Sequence, residues 1–484
     1  MYKNGSNLQN KTDWFDIVPF LIQLISIMTI FEIKMTIKPP PKGEGFADIL
    51  SRTTHEDFMK LMPYHRVTDP KGRYHHWDEF QYRVEKGTNA VDAWIVQKGA
   101  RNAQIQHINY YDKQGMEAKI NIIPSMHKAC SLIDQQTSKA AFEAMISNLE
   151  GIKYLISELR EEESISSSQL EGAATTTVVA RAILAEQRKP RTEDERMILG
   201  NYRLMGSVWD NKKEDLSLEL IRQLHSIGTR NINDEKYKPG QIRDNDDVVI
   251  CDYDGNIVHY PPLHSQLNNR LQAICDWANT RHEDAVNSDY MHPLIKACIL
   301  HFMIGYEHPF NDGNGRTARA LFYWYLFKCG YTAFKYISIS RLLKEASTAY
   351  GKSYLYTESD DFDLTYFVDY QCQIICRATS NFTGHIKKIS FQRAEFDSLL
   401  WNGNLKSKLN DRQRTLLLVA IENIGKKFTV REVSENLSIS DNTARSDLRA
   451  LVDEGIFDTI ENGKQTIYLS PKSVKVLLDK LRSA

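Results

Sequence analysis

The sequence predicts a mainly α protein: an all-helical core with one β-hairpin, a small mixed α/β region before it, and three helices with a β-wing after it. Three observations carry that prediction. Apolar residues recur at intervals of three and four through most of 124–400, the period of helices that bury one face. Two stretches, IQHINYYDKQGMEAKINII (105–123) and DVVICDYDGNIVHYPP (247–262), alternate on either side of a glycine turn as hairpins do. After residue 410, caps and turn residues mark out helix, helix, helix and hairpin in quick succession.

Each element follows in order. Residues 17–31, IVPFLIQLISIMTIF, carry no charge, but about 15 residues fall short of the roughly 20 that span a bilayer. Met35 reads as a better start, so 1–34 is expected to be an over-extended reading frame; the apolar run alone argues for a membrane-associated or partner-binding helix. KPPPKGEG (38–45) is an extended lead-in to a mixed region, 35–123, that holds a helix over 89–101 and the first hairpin. Helical spacing then runs through 140–159, 193–209, 215–228, 267–282 and 292–306 in a domain of 124–400. NGNLKSKLN lies in a polar linker, 401–410. In 411–484, helices over 411–424 and 429–437 precede one capped by Ser440 and ending near Gly455, then a hairpin around Asn462 and Gly463. That is the order of a winged helix-turn-helix.

Lys+Arg of 61 against Asp+Glu of 62 gives no global field toward nucleic acid or membrane, so either would have to meet a local patch. Membrane association gains no support from charge. Seven scattered cysteines without a CxxC pair argue against a disulfide framework or a zinc ribbon and for a cytoplasmic location. Cys372 and Cys376, one helical turn apart, read as two core thiols.

The chemistry concentrates in HPFNDGNGRTAR, 308–319, between two apolar segments. Pro309 disfavours helix at His308, so the preceding helix should end there. DGNG can curl tightly and expose successive backbone NH groups, and a helix from Gly315 would point its free NH donors at the loop, an anion site. Arg316 and Arg319 share one face at its start and suit adjacent phosphates. Asp312 among these cations is placed to hold a Mg²⁺ that bridges phosphate oxygens. His308, with an ordinary pKa of about 6.5, is the candidate general base. No P-loop or dinucleotide-binding glycine pattern follows a strand here.

This string resembles the Fic (Fido) signature HxFx(D/E)GNGRxxR at every defined position. The resemblance implies transfer of AMP from ATP to a Ser, Thr or Tyr hydroxyl of a target protein. His308 would take the hydroxyl proton, Asp312 would bind Mg²⁺, and Asn314 with the backbone of Gly313 and Gly315 would hold the α-phosphate. Arg316 and Arg319 would bind the β- and γ-phosphates, and Phe310 would anchor the loop. Residues 247–262 resemble the family's flap, on which a target protein could dock by strand addition, and KPGQIR (238–243) resembles its lead-in. SSQLEG, with Ser167, Glu171 and Gly172, resembles the [S/T]xxxE[G/N] motif of self-inhibiting members. It is expected on a helix that begins after REEESIS and stops at Gly172, and Glu171 would pair with Arg319. In some members this glutamate also serves removal of AMP. Where the family often has a Tyr-Tyr pair, Tyr350 and Tyr354 are separated, and Tyr350 is the candidate adenine contact.

For 411–484 the resemblance and pattern leave DNA or a protein as partner, with Asn442, Thr443, Arg445, Ser446, Arg449 and Lys464 as contact candidates. The basic excess from Trp401 onward is only about +3, small for a non-specific grip on a duplex. A homodimer is the remaining partner expectation. Two functions of different class follow: a self-inhibited adenylyltransferase, and a DNA-binding regulator whose Fic domain senses nucleotide.

Overall fold

Among the described residues the first α-helices are α1 (Phe46–Arg52), α2 (His55–Leu61), α3 (Trp77–Phe80) and α4 (Ala90–Asn102). The computed structural model describes residues 37–477 apart from 44, 147–151, 158, 187, 253, 283–289, 403–408, 463–464, 472 and 474–475. The expectation for 1–34 lies outside the described residues, as does the candidate Lys464. α4 starts where the Asn89 side chain accepts from the amides of Val91 and Asp92. The first hairpin pairs β1 (Gln106–Tyr111) with β2 (Glu117–Ile120) antiparallel. This N-terminal region is tied to the helices behind it by buried polar contacts. The Arg101 guanidinium lies 3.6 Å from the Tyr74 ring centroid and donates to Tyr366 Oη at 3.0 Å, and Lys98 pairs with Asp360 at 2.9 Å.

The helical core follows: α5 (Pro124–Thr137), α6 (Lys139–Ile146), α7 (Ile152–Leu155), α8 (Leu159–Leu170), α9 (Thr177–Glu186), α10 (Glu193–Asp210) and α11 (Leu218–Thr229). The flap region contains only a short pairing, β3 (Ile250–Cys251) with β4 (Ile257–His259). Then come α12 (Leu267–Asn279), α13 (Pro293–Glu307), α14 (Asn314–Lys328), α15 (Ser340–Glu345), α16 (Ser347–Ser359) and α17 (Thr365–Asn402). α13 and α14 are buried along nearly their whole length. Apart from Lys296, His301 and the polar first turns of α14 they are largely apolar all round, and they form the centre about which the others pack. Cys372 is buried in α17 and Cys376 is half-buried one turn on.

Two boundaries differ from the sequence reading. α8 starts at Leu159, before the acidic run, because Glu161 and Glu162 in its first turn favour the positive helix end. α17 runs through Asn402, two residues into the expected linker. The C-terminal segment holds α18 (Asp411–Glu422), β5 (Lys427–Phe428), α19 (Val430–Leu437), α20 (Asp441–Asp453), β6 (Asp458–Asn462) and β7 (Gln465–Leu469). Ser440 caps α20 by accepting from Thr443 N at 3.2 Å. Its sheet order is β5-β7-β6, antiparallel throughout. The fold is therefore mainly helical with small sheets. Among the described residues no helix is long and apolar enough to cross a membrane.

Candidate active site

The loop between α13 and α14 is built around two residues in left-handed backbone. His308 ends α13 at φ 46°, ψ 58°, and Gly313 opens α14 at φ 85°. A left-handed histidine is uncommon and needs support. Arg243 supplies it: its Nε donates to His308 O at 3.0 Å, and its own amide donates to Pro309 O at 2.9 Å. The same guanidinium donates to Asn245 O, Asp246 Oδ1 and Pro262 O, so the start and end of the flap are fastened to the base of the loop.

His308 Nδ1 lies 3.3 Å from Gly305 O. A carbonyl only accepts, so Nδ1 carries the proton and Nε2 is the basic nitrogen. Burial pushes the imidazole pKa down to about 4, overriding the Gly305 hydrogen bond that raises it. His308 is therefore neutral well below pH 7, where the unperturbed value would leave part of it charged.

Phe310 is fully buried and stacks on His225 of α11, with ring centroids 3.7 Å apart and planes 2° from parallel. His225 donates from Nε2 to Asp312 O at 2.8 Å and accepts the Gly240 amide at Nδ1 at 3.0 Å. Burial lowers its pKa to about 4, which fits this neutral, two-partner role. His225 is a loop-positioning residue that the sequence did not reveal; a single histidine on an apolar helix face reads as core, and its partners lie 87 and 15 residues away. A Cβ on Gly313 would meet Thr229 Cγ2 at 2.9 Å and His225 Nε2 at 3.1 Å. Gly313→Ala should therefore lose more than about 1 kcal/mol of stability, from strain and crowding together, in a urea unfolding curve.

Asn314 differs from its expected role. Its side-chain oxygen accepts Phe310 N at 2.9 Å while its nitrogen donates to Phe310 O at 2.8 Å. Both ends of the amide are committed to closing the loop. Arg316, 2% exposed, donates from one nitrogen to Gly228 O at 3.0 Å, and its Nε and Nη2 have no hydrogen-bond partner among the described residues. Buried guanidinium donors without acceptors fit an anionic ligand.

Arg319, 1% exposed, donates to Ser167 Oγ at 2.9 Å, Ser167 O at 3.2 Å and Glu171 Oε1 at 2.8 Å. The pairing of Glu171 with Arg319 is thus present in the structure. Burial disfavours the cation, but Glu171, Tyr350 and Glu163 together outweigh it and raise the Arg319 pKa. Gly172, at φ 99°, ends the turn after α8, with Ala173 N donating back to Ser168 O at 3.0 Å. Midway along α8, buried Glu163 accepts from Tyr323 Oη at 2.8 Å, Ser338 Oγ at 2.8 Å and both N and Oγ of Ser340. A Cβ on Gly315 would collide with Glu171 Oε1, so the carboxylate lies directly against the start of α14.

Asp312 Oδ2 pairs with Lys236 Nζ at 2.9 Å, and Oδ1 accepts Gly313 N at 2.5 Å. Among the described residues no three His, Cys, Asp or Glu side chains gather as a metal cluster. One carboxylate fits a Mg²⁺ carried in on polyphosphate oxygens, and does not fit a metal held by protein alone. Tyr350 bonds through its hydroxyl to His301 Nε2 at 2.8 Å and packs edge-on to Tyr354, 5.5 Å between centroids. Tyr354 occupies the space over Gly305.

A second unforeseen device sits one residue before His308. Glu307, fully buried, accepts from Arg270 Nε at 2.8 Å, Arg270 Nη2 at 2.7 Å and Tyr110 Oη at 2.5 Å. Arg270 also donates to Tyr111 O at 2.7 Å, so the first hairpin braces the end of α13. Glu307→Gln breaks this pair and should lower unfolding stability by about 3–5 kcal/mol, readable by urea denaturation.

The sequence model of the Fic/DOC family matches residues 215–326, which span α11, the flap and the loop. A protein of Nematostella vectensis named protein adenylyltransferase Fic is 25% identical over 186 residues, covering 37% of this chain and 40% of its own length. One of the same name in Drosophila ananassae is 38% identical over 73 residues, 15% of this chain and 14% of its own. The chain thus covers less than half of these relatives' length. A solved Fic family protein from Desulfovibrio desulfuricans G20 aligns with 73% of this chain and 98% of its own at 16% identity and a TM-score of 0.47. The family match over 215–326, on a loop that carries the motif from His308 to Arg319, supports a Fic/Fido family domain in this chain.

Proposed function

We propose that this protein is a protein adenylyltransferase that moves AMP from ATP to a Ser, Thr or Tyr hydroxyl of a target protein and is restrained by Glu171. The observation that carries the reading is the juxtaposition of a neutral His308 with an NH-rich helix start and two buried arginines, in a segment related to proteins named adenylyltransferases. His308 Nε2 takes the target's hydroxyl proton as that oxygen attacks the α-phosphorus; the bond to the bridging oxygen breaks and pyrophosphate leaves. The amides at Gly313 and Gly315 hold the α-phosphate, within a loop whose shape Asn314 and Phe310 maintain. Arg316 and Arg319 receive the β- and γ-phosphates. Mg²⁺ held at Asp312 would neutralise phosphate charge, and Lys236 must give way on Oδ2 for that.

Several further assignments belong to the same proposal. Tyr350 contacts adenine from the partly exposed edge of its ring cluster. The target docks on the flap, where Ile257, Tyr260 and Leu263 are exposed. The domain limits are taken from the sequence, with the helical core extended to Asn402 by α17, and the chain works in the cytoplasm. A related use of the site has Glu171 orient a water that removes AMP from a modified target. A second reading draws on 411–484 as a winged helix-turn-helix: Asn442, Arg445, Ser446 and Arg449 are exposed along α20, as a DNA-contacting helix requires, beneath a nucleotide-sensing Fic domain.

The test uses ATP labelled at either the α- or the γ-phosphorus, with Mg²⁺, the full chain and a cell lysate. Label retained on protein from α but not from γ supports AMP transfer. No protein label from either, with a salt-dependent shift of duplex DNA, would sink the enzyme in favour of the regulator.

A further inference from the structure

Tyr154 lies in the chain just ahead of α8, yet its side chain belongs to the C-terminal segment. It is 2% exposed and sits in one apolar cluster with Phe396, Leu416, Phe428 and Val433. Its ring meets Phe428 edge-on, centroids 6.4 Å apart at 90°, and its hydroxyl donates to Glu432 Oε1 of α19 at 2.9 Å. Glu432 is in turn paired with Lys426 at 3.0 Å. Two residues later Ile156 is fully buried in the other core, that of α13 and α14. The C-terminal segment therefore grips the helical core at α7.

From this grip to Glu171 the backbone has little slack. Ser157 N donates to Tyr154 O at 3.0 Å, Leu159 N to Ile156 O at 3.0 Å and Arg160 N to Ser157 O at 3.1 Å, so turns link α7 to α8 directly. α8 is then a rod about 18 Å long. It is held midway by the hydroxyls and amide around Glu163 and by Asn201 Nδ2 on Ser164 O, and its far end delivers Ser167 and Glu171 to Arg319. A rod held at its middle pivots there, so a small shift at α7 is carried to Glu171.

We propose that Tyr154 is a positioning residue for Glu171, through which the C-terminal segment sets how firmly α8 holds the carboxylate on Arg319. A partner that binds 411–477 and disturbs α19 thereby changes access to the anion loop. The regulatory half of this rests on Glu171 being inhibitory; the mechanical half does not.

The experiment compares the full-length parent with Tyr154→Phe, Glu432→Gln and Tyr154→Ala, reading amide hydrogen exchange along 160–171 and AMP incorporation. Both conservative variants keep the packing; Tyr154→Phe removes one hydrogen bond and Glu432→Gln weakens that bond and breaks the pair with Lys426, so each should speed exchange in α8 by about two- to tenfold, and Tyr154→Ala by more. Incorporation should rise in the same order, and none of the three should add to it in a Glu171→Gly background. Faster exchange confined to 411–477 with α8 unchanged in all three variants would overturn the proposal, leaving Tyr154 a core residue of the C-terminal segment. Should Glu171→Gly alone bring no gain, the inhibitory reading fails and the exchange result still decides the coupling. Should Tyr154→Ala not fold, the two conservative variants decide both.

Discussion

Glu171→Gly is expected to raise AMP incorporation from labelled ATP by about tenfold or more, the effect of removing some 1.4 kcal/mol of competition for Arg319. Arg319 is a buried cation that pairs directly with the Glu171 carboxylate and also bonds Ser167, with the buried Glu163 carboxylate nearby. Without Glu171 its guanidinium keeps those neutral acceptors and gains affinity for an anion. The same deletion leaves a buried charge uncompensated, so a loss of about 3–5 kcal/mol in nucleotide-free stability should accompany the gain in activity and be recovered on adding ATP. Glu171→Gln should fall between parent and glycine, since a neutral amide can still accept one hydrogen bond. Incorporation no greater in Glu171→Gly than in the parent removes self-inhibition from the reading.

His308→Ala should lose about 10²–10⁴-fold in rate, the usual worth of a positioned proton acceptor, in both the parent and the Glu171→Gly background. Binding of nucleotide should persist, because the amides of the loop and the arginines remain. The pH profile carries an independent check. The pKa of His308 is depressed to about 4, so the imidazole is already the base from pH 8 down to about 5, and protonation removes it only below that. The rate assigned to this group should therefore be flat across pH 6–8 and fall as pH drops toward 4. A midpoint near 6.5 would show that substrate entry restores an ordinary histidine. Unchanged incorporation by His308→Ala would remove it from the proton transfer altogether.

The candidate site was legible because its chemistry is local: His308, Asp312, Arg316 and Arg319 lie within twelve residues, and helix ends follow rules that act over one turn. α10, α11, α12, α13 and α20 could be located from periodicity and caps for the same reason. What escaped the sequence depends on distance along the chain. Arg243 supporting His308, Arg270 and Tyr110 bracing Glu307, and His225 beneath Phe310 join residues 37 to 197 apart. The bonds of Asn314 to Phe310 escaped because a motif says which side chain is present and not which way its amide turns. β5 was missed because two residues have no period, and Lys236 because an exposed lysine looks the same with or without a carboxylate beside it.

The bare Cα of Gly315 has a consequence for how ATP concentration enters. The space above it holds the Glu171 carboxylate, which also occupies Arg319. On the proposed reading Glu171 and a terminal phosphate on Arg319 would exclude one another, and the apparent affinity for nucleotide would be the intrinsic affinity weakened by the fraction of molecules with Glu171 withdrawn. The glutamate would then act as a tethered competitor at fixed local concentration. Its grip would set a threshold of ATP below which the loop stays closed to substrate, and anything that loosens α8 would lower that threshold without touching a single phosphate contact.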